Sequence, residues 1–254
     1  MASPSLPGPP HGPPSTPSKS QVKSTRPTVP PNIDRAPIRT ERLLIRPFEA
    51  SDVEAIHVLR TQPEVMLWTS VGVVDKDIDQ SRVFAERFLP PKDLDTYNFV
   101  IVYLGDAVQG EDTDGVLIGT AGAHNRYNIF GWPEVGYMFR KEYWNKGLGT
   151  EFLRGFLKAW WALPRHEIQV EVDAASVEGR GERNGSDVIQ VPEILTAIIE
   201  SNNIGSRRVL EKAGFREFKR WTEPDSRVGF EGKIVTLLAF LLEAPDSRKD
   251  GNPK

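Results

Sequence analysis

The span Glu134–Gly149, EVGYMFRKEYWNKGLG, brings a carboxylate, a cation and two glycines together at a junction between two patterns. An alternating, strand-like run precedes it and a strongly apolar helical run follows. Lys146, Gly147, Leu148, Gly149 and Thr150 occupy the turn between them. Glycine lets a ligand come close to the main chain, the first amides of a helix have no partner within it, and the helix dipole favours negative charge there. With Lys146 alongside, this is the composition of an anion site, and a phosphorylated ligand is its natural occupant. The dinucleotide pattern G-x-G-x-x-G fails, because Phe152 stands at the third glycine, and no G-K-[ST] occurs anywhere. Read alone, Gly147 and Gly149 are equally compatible with a helix that is simply capped and packed.

Other chemistries are excluded by what the chain lacks. It contains no cysteine, so it offers no disulfide, thiol nucleophile or cysteine-ligated zinc. Its four histidines, His11, His57, His124 and His166, have no metal-ligand spacing, and no metal is expected. No apolar run approaches about 18 residues, which argues against a membrane span. The start, MASPSLPGPPHGPP, has neither a basic nor an apolar segment of a secretory signal. The cytoplasm, with nuclear access, is the expected compartment. Residues 1–39 carry +4 of a net charge of −3, leaving −7 on the remainder, a balance that argues against nucleic acid as the main ligand.

The elements that would position the turn can be read from periodicity. Eleven of the 21 prolines fall within residues 1–37, so this Pro/Ser-rich stretch reads as a disordered tail. It has no basic-flanked P-x-x-P core for SH3-like partners. One domain is expected over 38–243, with a polar C-terminal tail at 244–254. Arg42–Arg46 reads as its first strand, and Ser51-Asp52-Val53-Glu54 as a capping box opening a helix to about Thr61. A second helix is predicted over Ile78–Leu89, stopped by Pro90-Pro91. Tyr97–Leu104, Val116–Ala123 and Glu134–Arg140 read as an antiparallel meander, with an acidic turn at Asp106–Gly115. Leu148, Phe152, Phe156 and Trp160 then recur every four residues, one wide apolar helical face ended by Pro164. Ile194–Glu200 is a strand, Asn203–Ala213 a short helix closed by Gly214, and Phe215–Trp221 and Lys233–Leu242 the last strands. Residues 165–192 fit no regular scheme and read as an insertion. The class is α/β of the α+β kind.

Three of these segments occur in a telling order: EVGYMF, then YWNKGLGTEFL, then N-x-x-S-x-R-V-L-E-K-A-G-F at Asn203–Phe215. In that order and context they resemble the GNAT acetyltransferases, specifically the RimJ/RimL type that acetylates amino groups. The family's loop reads R/Q-x-x-G-x-G/A, and Trp144 stands in the R/Q place. The resemblance covers about Ile38 to Leu242. It implies a mixed, mainly antiparallel sheet, splayed in the middle and flanked by helices. It implies acetyl-CoA as co-substrate, its diphosphate on the amides of Asn145, Lys146, Gly147, Leu148, Gly149 and Thr150, with Trp144 in the same cofactor-binding loop. Pantetheine would pair with the backbone of Tyr137, Met138 and Phe139, with Asn203 and Ser206 near the thiol end. The acceptor would be a primary amine, either a small molecule or a protein N-terminus.

Acetyl transfer to an amine needs a base, a donor for the carbonyl oxygen and a partner for the departing thiolate. In relatives a glutamate on this strand serves as the base, which makes Glu134 the candidate; the alternative is a substrate-orienting carboxylate. An amide near Met138 would meet the oxygen. Leu210 stands where many relatives carry an acidic tyrosine, so Ser206 is the nearest substitute, with a helix-capping serine as its alternative. His124, Tyr127, Phe130 and Trp132 could line an acceptor pocket or serve packing. The acidic folded part suits a cationic acceptor. A module that binds CoA without catalysis is the competing expectation, kept alive by the missing tyrosine and the insertion. Oligomeric state is not legible.

Overall fold

The computed structural model describes residues 18–105, 115–181 and 188–245. Eight strands form the main sheet: β2 (Ile38–Arg39), β3 (Leu43–Arg46), β4 (Tyr97–Tyr103), β5 (Val116–Asn125), β6 (Glu134–Phe139), β9 (Ile194–Glu200), β10 (Arg216–Pro224) and β11 (Ile234–Glu243). Their order is β10-β11-β9-β6-β5-β4-β3-β2, and every neighbouring pair is antiparallel except β6 and β9. The expected sheet, mainly antiparallel and divided in the middle, is the one observed.

Helices α4 (Leu148–Ala162) and α5 (Ile204–Lys212) cover one face. The four-residue spacing of α4 turns Leu148, Phe152, Phe156 and Trp160 inward, onto Tyr97, Phe99, Val135 and Phe139 of the sheet. Phe152, Phe156 and Trp160 stack along the helix at 5.6 and 5.9 Å between ring centres. Each such buried ring contributes roughly 1.5–3 kcal/mol.

The opposite face is covered in two parts. α1 (Val53–Arg60) and α3 (Ile78–Glu86) pack on Val100 of β4 and Leu117 of β5. Between them comes α2 (Pro63–Met66). The expected capping box at Ser51 and Glu54 is displaced: Glu49 and Asp52 make the reciprocal bonds, opening a short 3-10 turn that leads into α1. Asp52 suits this place because Arg46 clasps both its oxygens, at 2.9 and 2.6 Å.

The second part corrects two expectations. The tail through residue 37 is not without structure, since Lys19–Pro27 forms strand β1. The segment expected as an insertion supplies its partners, β7 (Arg165–Asp173) and β8 (Ile189–Gln190). β1 pairs with β7 along all nine of its residues and with β8 at Val22 and Lys23. This three-stranded sheet and the turn that follows β7 bury Val22, Val172 and Val177 against Phe130, Trp132, Ile194, Ala239 and Leu241. Apolar contact with the main sheet offsets the ordering cost that proline-rich composition suggested could not be met. Residues 106–114 of the expected acidic turn, and residues 1–17, 182–187 and 246–254, lie outside the described residues.

Candidate active site

The parallel strands β6 and β9 are bonded at one register pair, Glu134 with Thr196. The Thr196 amide and hydroxyl both donate to the Pro133 carbonyl, at 2.9 and 2.8 Å, and its Oγ1 accepts from Asn128 Nδ2 at 2.9 Å. Beyond this apex no pairing joins Val135–Phe139 to Ala197–Glu200 among the described residues. A strand edge inside a sheet demands partners for its polar groups, so an open one is a place for an extended ligand.

Alternation along β6 divides its side chains. Val135, Tyr137 and Phe139 pack on the α4 side. Glu134, Gly136 and Met138 face the other way and are half-buried. The Glu134 carboxylate lies 3.6 Å from Nε2 of His124. Burial drives Glu134 up to about 7, opposed by the side-chain amides of Asn128 and Asn125. Burial, aided by the charge of Arg87, drives His124 down to about 4, opposed by a backbone bond at Gly122. Near neutral pH the imidazole is therefore uncharged, and the carboxyl exchanges a proton readily. Gly136 makes this packing feasible, because a Cβ there would sit 2.8 Å from His124 Cε1.

The anion turn lies past the other end of β6. Gly147 is the N-cap residue of α4, at φ +79°, and no side chain caps the helix. Asn145, at φ 60°, is also left-handed. Among the described residues the amides of 145–149 have no backbone acceptor. Thr150, expected among the donors, returns its amide to the Gly147 carbonyl at 3.1 Å. Arg42 fixes the turn from below. It donates to the Lys146 carbonyl at 3.2 Å and pairs with Glu151 at 2.8 Å. Free amides beside a lysine fit a diphosphate.

Other predicted residues take different roles. Gly149 serves packing: its Cβ would stand 3.3 Å from Val209 of α5. Leu148 is core. Trp144 Nε1 donates to the Phe139 carbonyl at 2.7 Å, so that indole braces the loop. Asn203 caps α5 by accepting from the Ser206 amide at 3.0 Å. The Ser206 carbonyl accepts from the Tyr137 hydroxyl at 3.2 Å, and burial pushes that phenol above its ordinary value. Leu210, at the missing tyrosine position, is fully buried. Phe130 and Trp132 are buried beneath β1 and β7, and only Tyr127 of that trio is exposed. Asn125, Asn128 and Thr196 escaped the sequence reading, because their roles depend on the β6–β9 apex rather than on local pattern. No group of three metal-ligating side chains occurs among the described residues, and no helix there is long and apolar enough to cross a membrane.

Residues 42–216 match the family model for an acetyltransferase (GNAT) domain. The chain belongs to the GNAT acetyltransferase family. Solved GNAT structures share its fold at low identity. An acetyltransferase of the family from Bacillus anthracis is 21% identical, covers 83% of this chain and 100% of its own, and superposes with a TM-score of 0.55. Spermidine N-acetyltransferase from Vibrio cholerae, solved with CoA and spermine, is 15% identical over 81% of this chain and 97% of its own, with a TM-score of 0.54. The microcin C7 self-immunity acetyltransferase MccE, solved with acetyl-CoA and AMP, is 11% identical over 79% and 92%, with a TM-score of 0.53. The GNAT match begins at residue 42, so β1 and β2 lie outside it.

Proposed function

We propose that this chain transfers an acetyl group from acetyl-CoA to a primary amine by direct attack in a ternary complex, and that it is of the RimJ/RimL type. One observation carries the reading: a carboxylate shifted to about 7 stands at the apex of a strand pair that opens toward an uncapped glycine turn. Acetyl-CoA-bound MccE and the CoA-bound spermidine enzyme support the co-substrate.

The residues divide the work. Amides of 145–149 and Lys146 hold the diphosphate. The open edge of β6 at Tyr137–Phe139 takes the pantetheine as an added strand would. Glu134, in its ionised form, removes a proton from the incoming ammonium, leaving a lone pair on nitrogen. That nitrogen bonds the thioester carbonyl carbon as the carbon–sulfur bond breaks. A β6 amide near Met138 meets the charge on the carbonyl oxygen. The nitrogen's remaining excess proton goes to the thiolate, directly or through water, with Ser206 as its hydrogen-bond partner.

Mass spectrometry of products from a mixed amine and peptide library with acetyl-CoA tests this. Acetylated amines are expected. Slow hydrolysis alone, with CoA bound, would favour a binding module.

A further inference from the structure

Arg227 lies in the hairpin between β10 and β11, beyond the GNAT match, and is 9% exposed. Its guanidinium joins three elements. Nη2 donates to Glu200 Oε1 at 2.8 Å and to Asp225 Oδ2 at 2.5 Å, Nε donates to Asp225 Oδ1 at 2.9 Å, and Nη1 donates to the Leu67 carbonyl at 2.6 Å. Glu200 is the last residue of β9, and Leu67 is the residue that closes α2. Gly72, at φ +77°, lets the chain after α2 fold against the Arg227 stem, where a Cβ would stand 2.8 Å from Arg227 Cβ. The fork of charged bonds is the kind that fixes geometry as well as adding energy.

The other end of α2 is tied as well. Gln62, its N-cap residue, donates to Glu142 at 3.0 Å and accepts from the Lys141 amide at 2.8 Å, and Lys141 pairs with Glu64. Lys141 and Glu142 directly follow Arg140, the residue after β6. Between these ties Val65 and Met66 are 3% and 0% exposed, so the helix is seated on the molecule. α2 therefore runs from the end of β6 to the end of β9. Those two strands are bonded only at Glu134 and Thr196 among the described residues, so the outline is a triangle with that pair as apex and α2 as base. By alternation Glu200 shares the face of Thr196 and Ile198, while Ala197 and Ile199 pack with α4. The base crosses on the face away from α4.

We propose that Arg227 is a positioning residue for the acyl carrier: by pinning α2 to β9 it sets the width of the β6–β9 slot that takes the pantetheine arm, and it touches no reacting atom. That pantetheine occupies the slot rests on the transfer reading above. One extended chain between two strands needs them roughly 9–10 Å apart, twice the ordinary strand spacing. Gln62 to Leu67 spans about 7.5 Å at the helical rise, and the side chains that pin the two ends supply the rest. A strap fixed at both ends holds the slot at working width before the carrier arrives, so the ordering cost is met in folding and not in binding. A displacement of about 1 Å far from the chemistry can cost on the order of a hundredfold in such a site.

The test separates the slot from the turn. The full chain is titrated calorimetrically with acetyl-CoA and with 3′-phosphoadenosine 5′-diphosphate, the nucleotide half of the carrier, which reaches the turn and has no arm for the slot. The unaltered chain should bind acetyl-CoA more tightly than the nucleotide. Arg227→Met should cut that advantage about tenfold and leave the nucleotide Kd unchanged, a split that general loosening of the fold would not produce. Gln62→Ala frees the opposite, more exposed end of α2 and should do the same; it also covers the case where Arg227→Met does not fold. Combining the two should add little to the larger single effect, because one free end already releases the strap. An advantage that survives either folded variant, a nucleotide Kd that rises in step with that of acetyl-CoA, or fully additive losses overturns the proposal. Equal binding of the two ligands by the unaltered chain also overturns it, because the slot then contributes nothing. If the unaltered chain binds neither ligand, the transfer reading falls and this proposal with it; if it binds acetyl-CoA tightly and the variants keep the advantage, this proposal falls alone.

Discussion

Glu134 on β6 and Thr196 on β9 form the one register pair that bonds these two parallel strands. The candidate base therefore sits at the point from which the sheet opens. Thr196 also ties Pro133 and Asn128 to that point. Chemistry and architecture meet in the same pair: what holds the strands together also sets where the carboxylate stands.

Thr196→Val keeps the shape and removes the hydroxyl. Asn128 loses an acceptor and Pro133 a donor, a loss of about 1–2 kcal/mol. Urea unfolding should show it, with kcat/KM for the amine reduced and the Kd for acetyl-CoA unchanged. An unaltered midpoint would count against a pinned apex.

Glu134→Gln should lower kcat by roughly 10²–10⁴-fold, the range for loss of a general base. The kcat/KM profile of the unaltered enzyme should rise through about pH 7, and that limb should vanish in the variant. Stability has its own signature. The folded carboxyl titrates near 7, against an ordinary 4.5. Its proton is held more firmly in the fold, so its stabilising contribution is full below 4.5 and is lost as pH rises through 7. Relative to Glu134→Gln, the unaltered chain should lose roughly 3 kcal/mol between pH 4.5 and 8. His124 runs the opposite way: its contribution is present above 6.5 and is lost as pH falls through about 4.

Gly147→Ala meets no crowding, since its Cβ would lie 3.6 Å from Arg42 Nη2. It meets strain, because φ is +79°, where an L side chain costs about 1–2 kcal/mol. Relief of that strain would re-aim the free amides. The Kd for acetyl-CoA should rise about tenfold, the equivalent of 1.4 kcal/mol, with the amine KM little changed. Gly149→Ala presses on Val209 instead and should lower the melting temperature. Equal effects from the two variants would refute this division of labour.

Val22→Ala should cost about 2 kcal/mol, as truncation of a buried aliphatic side chain does. Deleting residues through 28 should lower the melting temperature far more, because it uncovers Val172, Ala239 and Leu241. A truncated chain that melts normally would mean β1 is dispensable, as a disordered tail would be.

Local signals carried the strands of the meander, α4 and the glycine turn. The four-residue spacing in α4 and the alternation in β6 are fixed by near neighbours, so they are visible in a short window. β1 was hidden by averaging: residues 18–26 contain no proline, yet they lie between proline-rich stretches. Its strand character depends on β7, and a partner that distant leaves no trace in local composition. Glu134 was legible as a carboxylate on the right strand. Its shift was not, because burial is a tertiary property. Nor was Trp144 legible as a brace rather than a ligand contact, since both roles call for the same residue at the same place.

The pairing of β1 with β7 also bears on how the chain is made. Thr28 and His166 are in contact although 138 positions separate them in the chain. During synthesis, β1 leaves the ribosome early and has no partner until β7 emerges. Closing so long a loop is slow. Val22 must wait exposed through that interval, and the second sheet should be among the last parts of the molecule to dock.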